Sequence, residues 1–126
     1  MTRDDIQRWL DRYIAAWRAN QREPIEMLFT EDAIYRYHPY GDDAMRGREA
    51  IATSWLEEAD EPDSWEARYE PFAVEGDRAV ATGWSRYAPT GDEPERTYHN
   101  VFLMRFDADG RCSEFTELFM LEKVPE

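Results

Sequence analysis

The second half of the chain alternates apolar and polar residues with a period of two, the pattern of β-strands that bury one face. Four such runs follow one another, separated by short polar turns rich in Gly, Pro and Asp. Strands joined by short turns run antiparallel. The sequence therefore predicts four antiparallel strands, at residues 64–74, 78–88, 97–106 and 111–123.

The first half carries apolar residues at helical spacing instead. Thr2 and Asp5 form a variant of the capping box at the start of the first helix. The expected elements are a helix ending near Asn20, a short helix beginning at Pro24, a β-like segment at 33–40 and a helix at 48–59. Helices grouped before strands predict an α+β fold, in which three helices pack on a strongly curved mixed, mainly antiparallel sheet. A single domain is expected over residues 1–126.

The charge balance restricts the classes of partner. The chain has 126 residues and a formal net charge of −13, from 15 Lys and Arg against 28 Asp and Glu. Such a surface repels phosphate backbones and anionic lipids, so we expect neither a nucleic-acid nor a membrane partner. The N-terminus lacks the apolar core of a signal peptide, and the one cysteine, Cys112, rules out an intrachain disulfide. These features predict a cytoplasmic protein.

One face of the predicted sheet is almost entirely apolar, yet it includes two polar side chains, Asn100 and Glu117. Burying an amide and a carboxylate without partners costs several kcal/mol. The pattern therefore predicts a cavity that takes a small, apolar, oxygenated organic molecule. The rings expected to line it are Trp17, Tyr35, Tyr37, Trp55, Trp84, Tyr98, Phe102, Phe115 and Phe119.

Glu117 is the leading candidate for a catalytic residue. Its neighbours on the same face, Phe115 and Phe119, leave the carboxyl poorly hydrated, which raises its pKa and suits it to proton transfer. Two structural interpretations stay open. Glu117 pairs with Arg86 or Arg105 in one of them, and it faces solvent in the other.

Two further residues are candidates for supporting roles. Asn100 either donates its amide to a ligand oxygen or holds Glu117 in place. His38 stands near the expected mouth of the cavity and titrates near neutral pH, although a histidine before a proline also suits a plain rim position.

Trp84 either floors the pocket or, on the outer face, contacts a second copy. Two separated histidines and one cysteine make no zinc site, and we expect no metal or cofactor.

Three stretches carry a resemblance to a known family: LFTEDAIYRYHP at 28–39, MRGREAIATSW at 45–55 and FDADGRCSEFTELFM at 106–120. In this order and spacing they resemble the SnoaL-like branch of the nuclear transport factor 2-like superfamily. The resemblance implies a cone-shaped α+β barrel with a pocket between the helices and the concave sheet. It also implies an acidic residue as the common acid or base, and frequent homodimers.

The resemblance to individual family members extends to few residues. In members similar to limonene epoxide hydrolase, acidic groups on the last two strands and an arginine hold the reactive water. Glu117 matches the last-strand acid, but Asn100 replaces the other acid and Tyr98 stands in place of the arginine, which counts against epoxide hydrolysis. Ketosteroid isomerases use a carboxylate with phenol donors. Phenols are available here from Tyr13, Tyr35, Tyr37 and Tyr98.

Two function classes follow. In the first, the protein binds a small molecule and Glu117 accepts a hydrogen bond. In the second, it is a cofactor-free isomerase, cyclase or hydratase, and Glu117 moves a proton. We favour binding, because the sequence places no second acid or cation clearly beside Glu117. We also expect a homodimer formed through the outer face of the sheet.

Overall fold

The computed structural model describes residues 1–123 and contains three helices and six strands in that part of the chain. The helices are α1 (Arg3–Ala19), α2 (Arg22–Glu26) and α3 (Arg48–Glu57). The strands are β1 (Phe29–Arg36), β2 (Met45–Arg46), β3 (Trp65–Glu75), β4 (Arg78–Tyr87), β5 (Arg96–Phe106) and β6 (Cys112–Leu121). The predicted elements occur in the predicted order. The short strand β2 has no counterpart among them, and the single-domain prediction extends three residues past the described part.

The strands form one sheet in the order β2-β1-β6-β5-β4-β3. β1 and β6 pair in parallel, and the other neighbouring strands of the described chain pair antiparallel. The helices pack on one face of this mixed sheet, which is curled but does not close into a barrel. The predicted fold class, three helices on a strongly curved and mainly antiparallel sheet, is confirmed.

Helix α1 covers the concave face and begins and ends as the sequence predicts. The Thr2 hydroxyl accepts a hydrogen bond from the Asp5 backbone at 3.1 Å, and the Asp5 carboxylate accepts one from the Thr2 backbone at 2.9 Å. Asn20 ends the helix in the left-handed conformation, with φ of 52°, which asparagine tolerates better than most residues. The buried stripe of the helix is Ile6, Trp9, Leu10, Tyr13 and Ala16. None of the helices in residues 1–123 combines the length and apolarity needed to cross a bilayer.

The inner face of β5 and β6 follows the predicted alternation, with one interruption. Phe102 pairs with Glu117 and Met104 with Phe115, so these four side chains share the concave side. Next to them the register shifts at a β-bulge, where Ser113 is the extra residue and donates to the Arg105 carbonyl. Because of this bulge, Cys112 is buried in the place that strict alternation gives to Ser113.

Gly83 lets β3 and β4 approach closely in the middle of the sheet. A Cβ atom at this position would lie 2.0 Å from the Arg68 carbonyl oxygen and 2.6 Å from Cδ1 of Tyr69. Any side chain larger than hydrogen would therefore displace the ring of Tyr69, which lies across Gly83. The glycine thus holds Tyr69 over the concave face of the sheet, where the candidate site is found.

Candidate functional site

A cavity of about 160 Å³ lies between α1, α3 and the concave face of the sheet. This is about the size of an engineered apolar cavity that binds benzene. Seven aromatic side chains, three acidic side chains and one serine line it. They are Tyr13, Trp17, Tyr35, Tyr37, Trp55, Glu58, Asp60, Tyr69, Ser85, Tyr87 and Glu117. Four of the rings predicted from the sequence are among them: Trp17, Tyr35, Tyr37 and Trp55.

A second concavity of about 230 Å³, here called the outer depression, adjoins the cavity. The two share Ser85, Tyr87 and Glu117, so the Glu117 carboxyl stands on the boundary between them. The remaining lining residues of the outer depression are Arg96, Tyr98, Asn100 and Phe119. The structure thus places Tyr98, Asn100 and Phe119 beside Glu117, but outside the cavity proper.

The Glu117 carboxyl has no hydrogen-bond or ion-pair partner among the side chains of residues 1–123. Arg86 instead pairs with Glu66 at 3.1 Å, and Arg105 lies 3.9 Å from Asp77, both away from the cavity. The residue keeps part of its surface accessible, but this surface faces the two concavities rather than the convex exterior. Both structural interpretations of Glu117, the ion pair and the solvent-facing position, are therefore wrong.

Burial of the Glu117 carboxyl raises its pKa to about 7. Burial, with a smaller contribution from the Glu117 charge, also raises the pKa of the five surrounding phenols. Those phenols therefore stay protonated at neutral pH, whereas Glu117 changes charge there. The phenols are Tyr13 from α1, Tyr35 and Tyr37 from β1 and its end, Tyr69 from β3 and Tyr87 from β4.

A chain of hydrogen bonds crosses three strands beside Glu117. The Ser85 hydroxyl donates to Oδ1 of Asn100 at 2.9 Å, and the Tyr69 hydroxyl lies 2.6 Å from Oγ of Ser85. A serine hydroxyl has one proton, so Tyr69 must be the donor to Ser85. Asn100 is buried and faces the outer depression. Its bond goes to Ser85, so the structure does not support the interpretation that Asn100 holds Glu117.

The floor of the cavity is a stack of rings. The Tyr13 and Tyr35 hydroxyls are 3.0 Å apart, and both rings stack on Phe115, at centroid distances of 5.5 and 4.7 Å. Phe102 packs against Phe115 at 4.8 Å. Phe102 and Phe115 are fully buried beneath the tyrosines. These two phenylalanines therefore do not line the cavity as predicted, and they support the rings that do.

Contacts with neighbouring side chains hold Trp17 and Trp55 in the wall of the cavity. Trp17 stacks on Trp65 with centroids 3.7 Å apart, and its indole N–H donates to Asp60 at 3.3 Å. Trp55 meets Tyr13 edge to face at 5.0 Å. Such contacts fix the orientation of both indoles, so the cavity is formed before any ligand enters.

Two predicted site residues lie elsewhere. Trp84 is on the convex face, where it pairs with His99 and has the Arg86 guanidinium 5.0 Å from its ring centroid. Alternation in β4 sends Ser85 inward, and Trp84 therefore outward. His38 lies in the bend after β1, and its ring contacts the Tyr40 carbonyl and the Asp43 carboxylate. The predicted positions of Trp84 and His38 at the cavity are wrong.

Several lining residues lack a signal that singles them out in the sequence. Ser85 and Tyr87 share the inner face of β4 with the small residues Ala79 and Ala81, and that face has no large apolar residue to mark it before Tyr87. Glu58 and Asp60 follow the end of α3, where no periodic pattern applies. They are two of the three acidic groups of the cavity.

Residues 10–115 match the family model of the SnoaL-like domain. The chain belongs to the SnoaL-like family. This membership, within the nuclear transport factor 2-like superfamily, confirms the resemblance seen in the sequence. Comparison with curated protein sequences gave no match.

Two solved structures resemble this SnoaL-like protein over most of its length. A nuclear transport factor 2-like protein of unknown function from Burkholderia xenovorans LB400 has a TM-score of 0.70 and 20% identity, covering 97% of this chain and 88% of that one. An LEH-like epoxide hydrolase from M. tuberculosis has a TM-score of 0.67 and 12% identity, covering 93% and 84%. At these identities the similarity shows the shared fold alone.

Proposed function

We propose that this SnoaL-like protein binds a small organic molecule in the cavity. Rings hold the apolar part of the molecule, and the Glu117 carboxyl binds one polar group. The cavity volume of about 160 Å³ suits a molecule of about one ring, with room for a substituent in the outer depression.

The observation that carries this proposal is that the Glu117 carboxyl lies among aromatic rings and has no hydrogen-bond or ion-pair partner in residues 1–123. A buried carboxyl without a hydrogen-bond partner costs free energy in the absence of ligand. Strand β6 nonetheless directs Glu117 into a cavity, where no side chain of residues 1–123 pairs with it. Groups with a strongly shifted pKa in a cleft are typical of functional sites. A ligand that binds this carboxyl supplies the missing partner.

Tryptophan fluorescence tests the proposal, because Trp17 and Trp55 line the cavity. Soluble one-ring compounds should change the emission of the wild type in a saturable way. The Trp55→Ala variant should bind them at least about tenfold more weakly, since it loses one wall of the cavity. Trp84→Ala is the matched control on the convex face and should bind as the wild type does. Equal binding by all three proteins would rule out this cavity as the site.

A second candidate function is proton transfer by a cofactor-free isomerase or cyclase. The observation that favours it is a carboxyl with a pKa of about 7 beside protonated phenols. Tyr13 and Tyr35 share one hydrogen bond, so one of their two protons remains free for a ligand oxygen. In such a reaction the Glu117 carboxylate takes a proton from carbon next to a carbonyl. A phenol stabilises the enolate oxygen, and Glu117 then returns the proton.

Glu117→Gln distinguishes the two candidates once a turned-over compound is found. Proton transfer requires the carboxylate, so the amide should abolish turnover while ligand affinity changes by a few-fold at most. Unchanged turnover in Glu117→Gln would exclude this role.

A second copy of the chain is the partner that we propose for the convex face. Apolar side chains of β4, β5 and β6 lie together there, and Met120 is 73% exposed. The others in this group are Trp84, Val101, Leu103 and Leu118. Exposed apolar groups clustered on one sheet face are typical of interfaces. The expectations of no nucleic-acid and no membrane partner remain predictions.

A further inference from the structure

We propose that the ligand of the cavity is a small organic cation, an amine or a quaternary ammonium ion. This inference rests on the proposed binding function and names the chemical class of the ligand. It follows from the charges and the rings that surround the cavity, taken together.

The charges of the cavity have one sign. Its lining within the described chain contains three carboxyl side chains, Glu58, Asp60 and Glu117, and no Lys, Arg or His. The whole chain adds a net charge of −13, which attracts cations over a longer range. An anionic ligand would have to enter against all of these charges. A neutral ligand would leave the Glu117 charge without a counterion.

Two guanidinium groups in the surroundings of the cavity, those of Arg96 and Arg18, are engaged with other side chains. Arg96 lines the outer depression, where it pairs with Glu93 at 2.5 Å. Arg18 lies over Trp65, at 4.3 Å from the ring centroid, and this indole stands behind Trp17. Neither guanidinium forms an ion pair with Glu117, whose carboxylate therefore has no paired cation in residues 1–123 when it is ionised.

The aromatic rings of the cavity are the second feature that favours a cationic ligand. Two indoles and five phenols wall the cavity, and their faces carry the negative part of the aromatic quadrupole. The phenols keep their protons at neutral pH, so the rings stay neutral and available for cation–π contacts. Aromatic cages of this kind bind ammonium groups in proteins. Adjacent carboxylates are the complementary charges for such a group.

A metal ion is a poorer occupant than an organic cation. Metal ions of the hard class take six or more oxygen ligands. Residues 1–123 contain no group of three His, Cys, Asp or Glu side chains placed to hold a metal. The three carboxyls of the ring-walled cavity are therefore not placed to share a metal ion, and a cation with its own apolar surface fits the rings better.

Three one-ring probes that differ in charge test the inference: the cation benzylammonium, the neutral benzyl alcohol and the anion benzoate. Binding is measured by calorimetry near pH 8, where Glu117 is ionised, and at physiological ionic strength to screen the surface charge. Benzylammonium should bind at least about tenfold more tightly than benzyl alcohol, because an ion pair forms in a poorly hydrated site. Benzoate should not bind measurably. In Glu117→Gln the preference for benzylammonium should fall to less than about threefold.

Glu114→Gln is the matched control, since Glu114 lies on the same strand next to Arg105 on the convex face. This variant should keep the full preference for the cation. Equal or tighter binding of benzyl alcohol by the wild type would overturn the inference and leave the proposed binding function standing. The same preference in Glu117→Gln as in the wild type would also overturn it. Failure of all three probes to bind would contradict the inference and the binding function together.

Discussion

The Tyr69 hydroxyl donates to Oγ of Ser85 across a distance of 2.6 Å, and this bond aligns β3 with β4 at the cavity. The Ser85 hydroxyl in turn donates to Oδ1 of Asn100 on β5 at 2.9 Å. Both bonds are buried, so a substitution that removes one partner leaves the other polar group without its hydrogen bond in the protein. The chain of three side chains fixes the wall of the cavity next to Glu117.

Ser85→Ala should destabilise the protein by about 1–3 kcal/mol, because it leaves the Tyr69 hydroxyl and the Asn100 carbonyl without a partner. Tyr69→Phe removes the first of these unpaired groups. The double variant should therefore lose less stability than the two single variants added together. Urea unfolding of the four proteins measures the interaction energy. Strict additivity would mean that the hydroxyl pair contributes nothing to stability.

Gly83→Ala should destabilise the protein by about 3 kcal/mol or more, because the new methyl group would overlap the Arg68 carbonyl at 2.0 Å. The carbonyl belongs to the neighbouring strand and cannot move without breaking the pairing of β3 and β4. Gly91→Ala is the control, since its Cβ would meet no atom within 4 Å. That variant should stay within about 0.5 kcal/mol of the wild type in chemical unfolding. Equal stabilities of the two variants would contradict the close approach.

The raised pKa of Glu117 predicts how stability depends on pH. In the folded protein the Glu117 carboxyl has a pKa of about 7, whereas in the unfolded chain it has the usual pKa of 4.5. Between these values the folded state binds more protons, so stability falls as the pH rises and levels off above pH 7. Glu117→Gln should therefore be more stable than the wild type near pH 8, by up to about 3 kcal/mol. Near pH 4 the two should be alike.

Thermal and urea unfolding at several pH values measure this difference, with Glu114→Gln as the control. Glu114 lies partly exposed on the convex face, and its substitution should change stability little at any pH. A Glu117→Gln protein that is less stable than the wild type near pH 8 would contradict the account, because the carboxylate would then have a stabilising partner.

The proposed homodimer predicts a mass of twice 15.0 kDa in light scattering. Met120→Glu places a charge on the most exposed apolar side chain of the convex face and should shift the protein towards the monomer. Met27→Glu is a control at an exposed methionine near α2 and should leave the mass unchanged. A monomeric wild type at micromolar concentration would refute the dimer.

Alternation along β5 and β6 predicts the inward position of Glu117, because a buried face repeats every second residue. It identifies Glu117 and Asn100 as polar groups on the concave side, and the family resemblance gives the fold. The predicted position of Trp84 is wrong because the size of its ring suggests burial, whereas the ring lies on the convex face. The concave side of β4 instead needs small residues such as Gly83, since the Tyr69 ring occupies the space above them.

The remaining differences come from contacts that the sequence pattern does not encode. A single extra residue, Ser113, shifts the alternation and buries Cys112. Glu58 and Asp60 reach the cavity because α3 ends beside it, which depends on how the helix packs on the sheet. The His38 ring is held by its own bend, through Tyr40 and Asp43. A local motif such as His-Pro does not reveal which way that bend turns.

The most direct measurement of the central claim is an NMR titration of the Glu117 carboxyl carbon, assigned by its absence in Glu117→Gln. This signal should titrate near pH 7 in the free protein and should move when a saturating one-ring probe is added. A signal that titrates near pH 4.5, as in a solvated glutamate, and does not respond to any probe would contradict the claim.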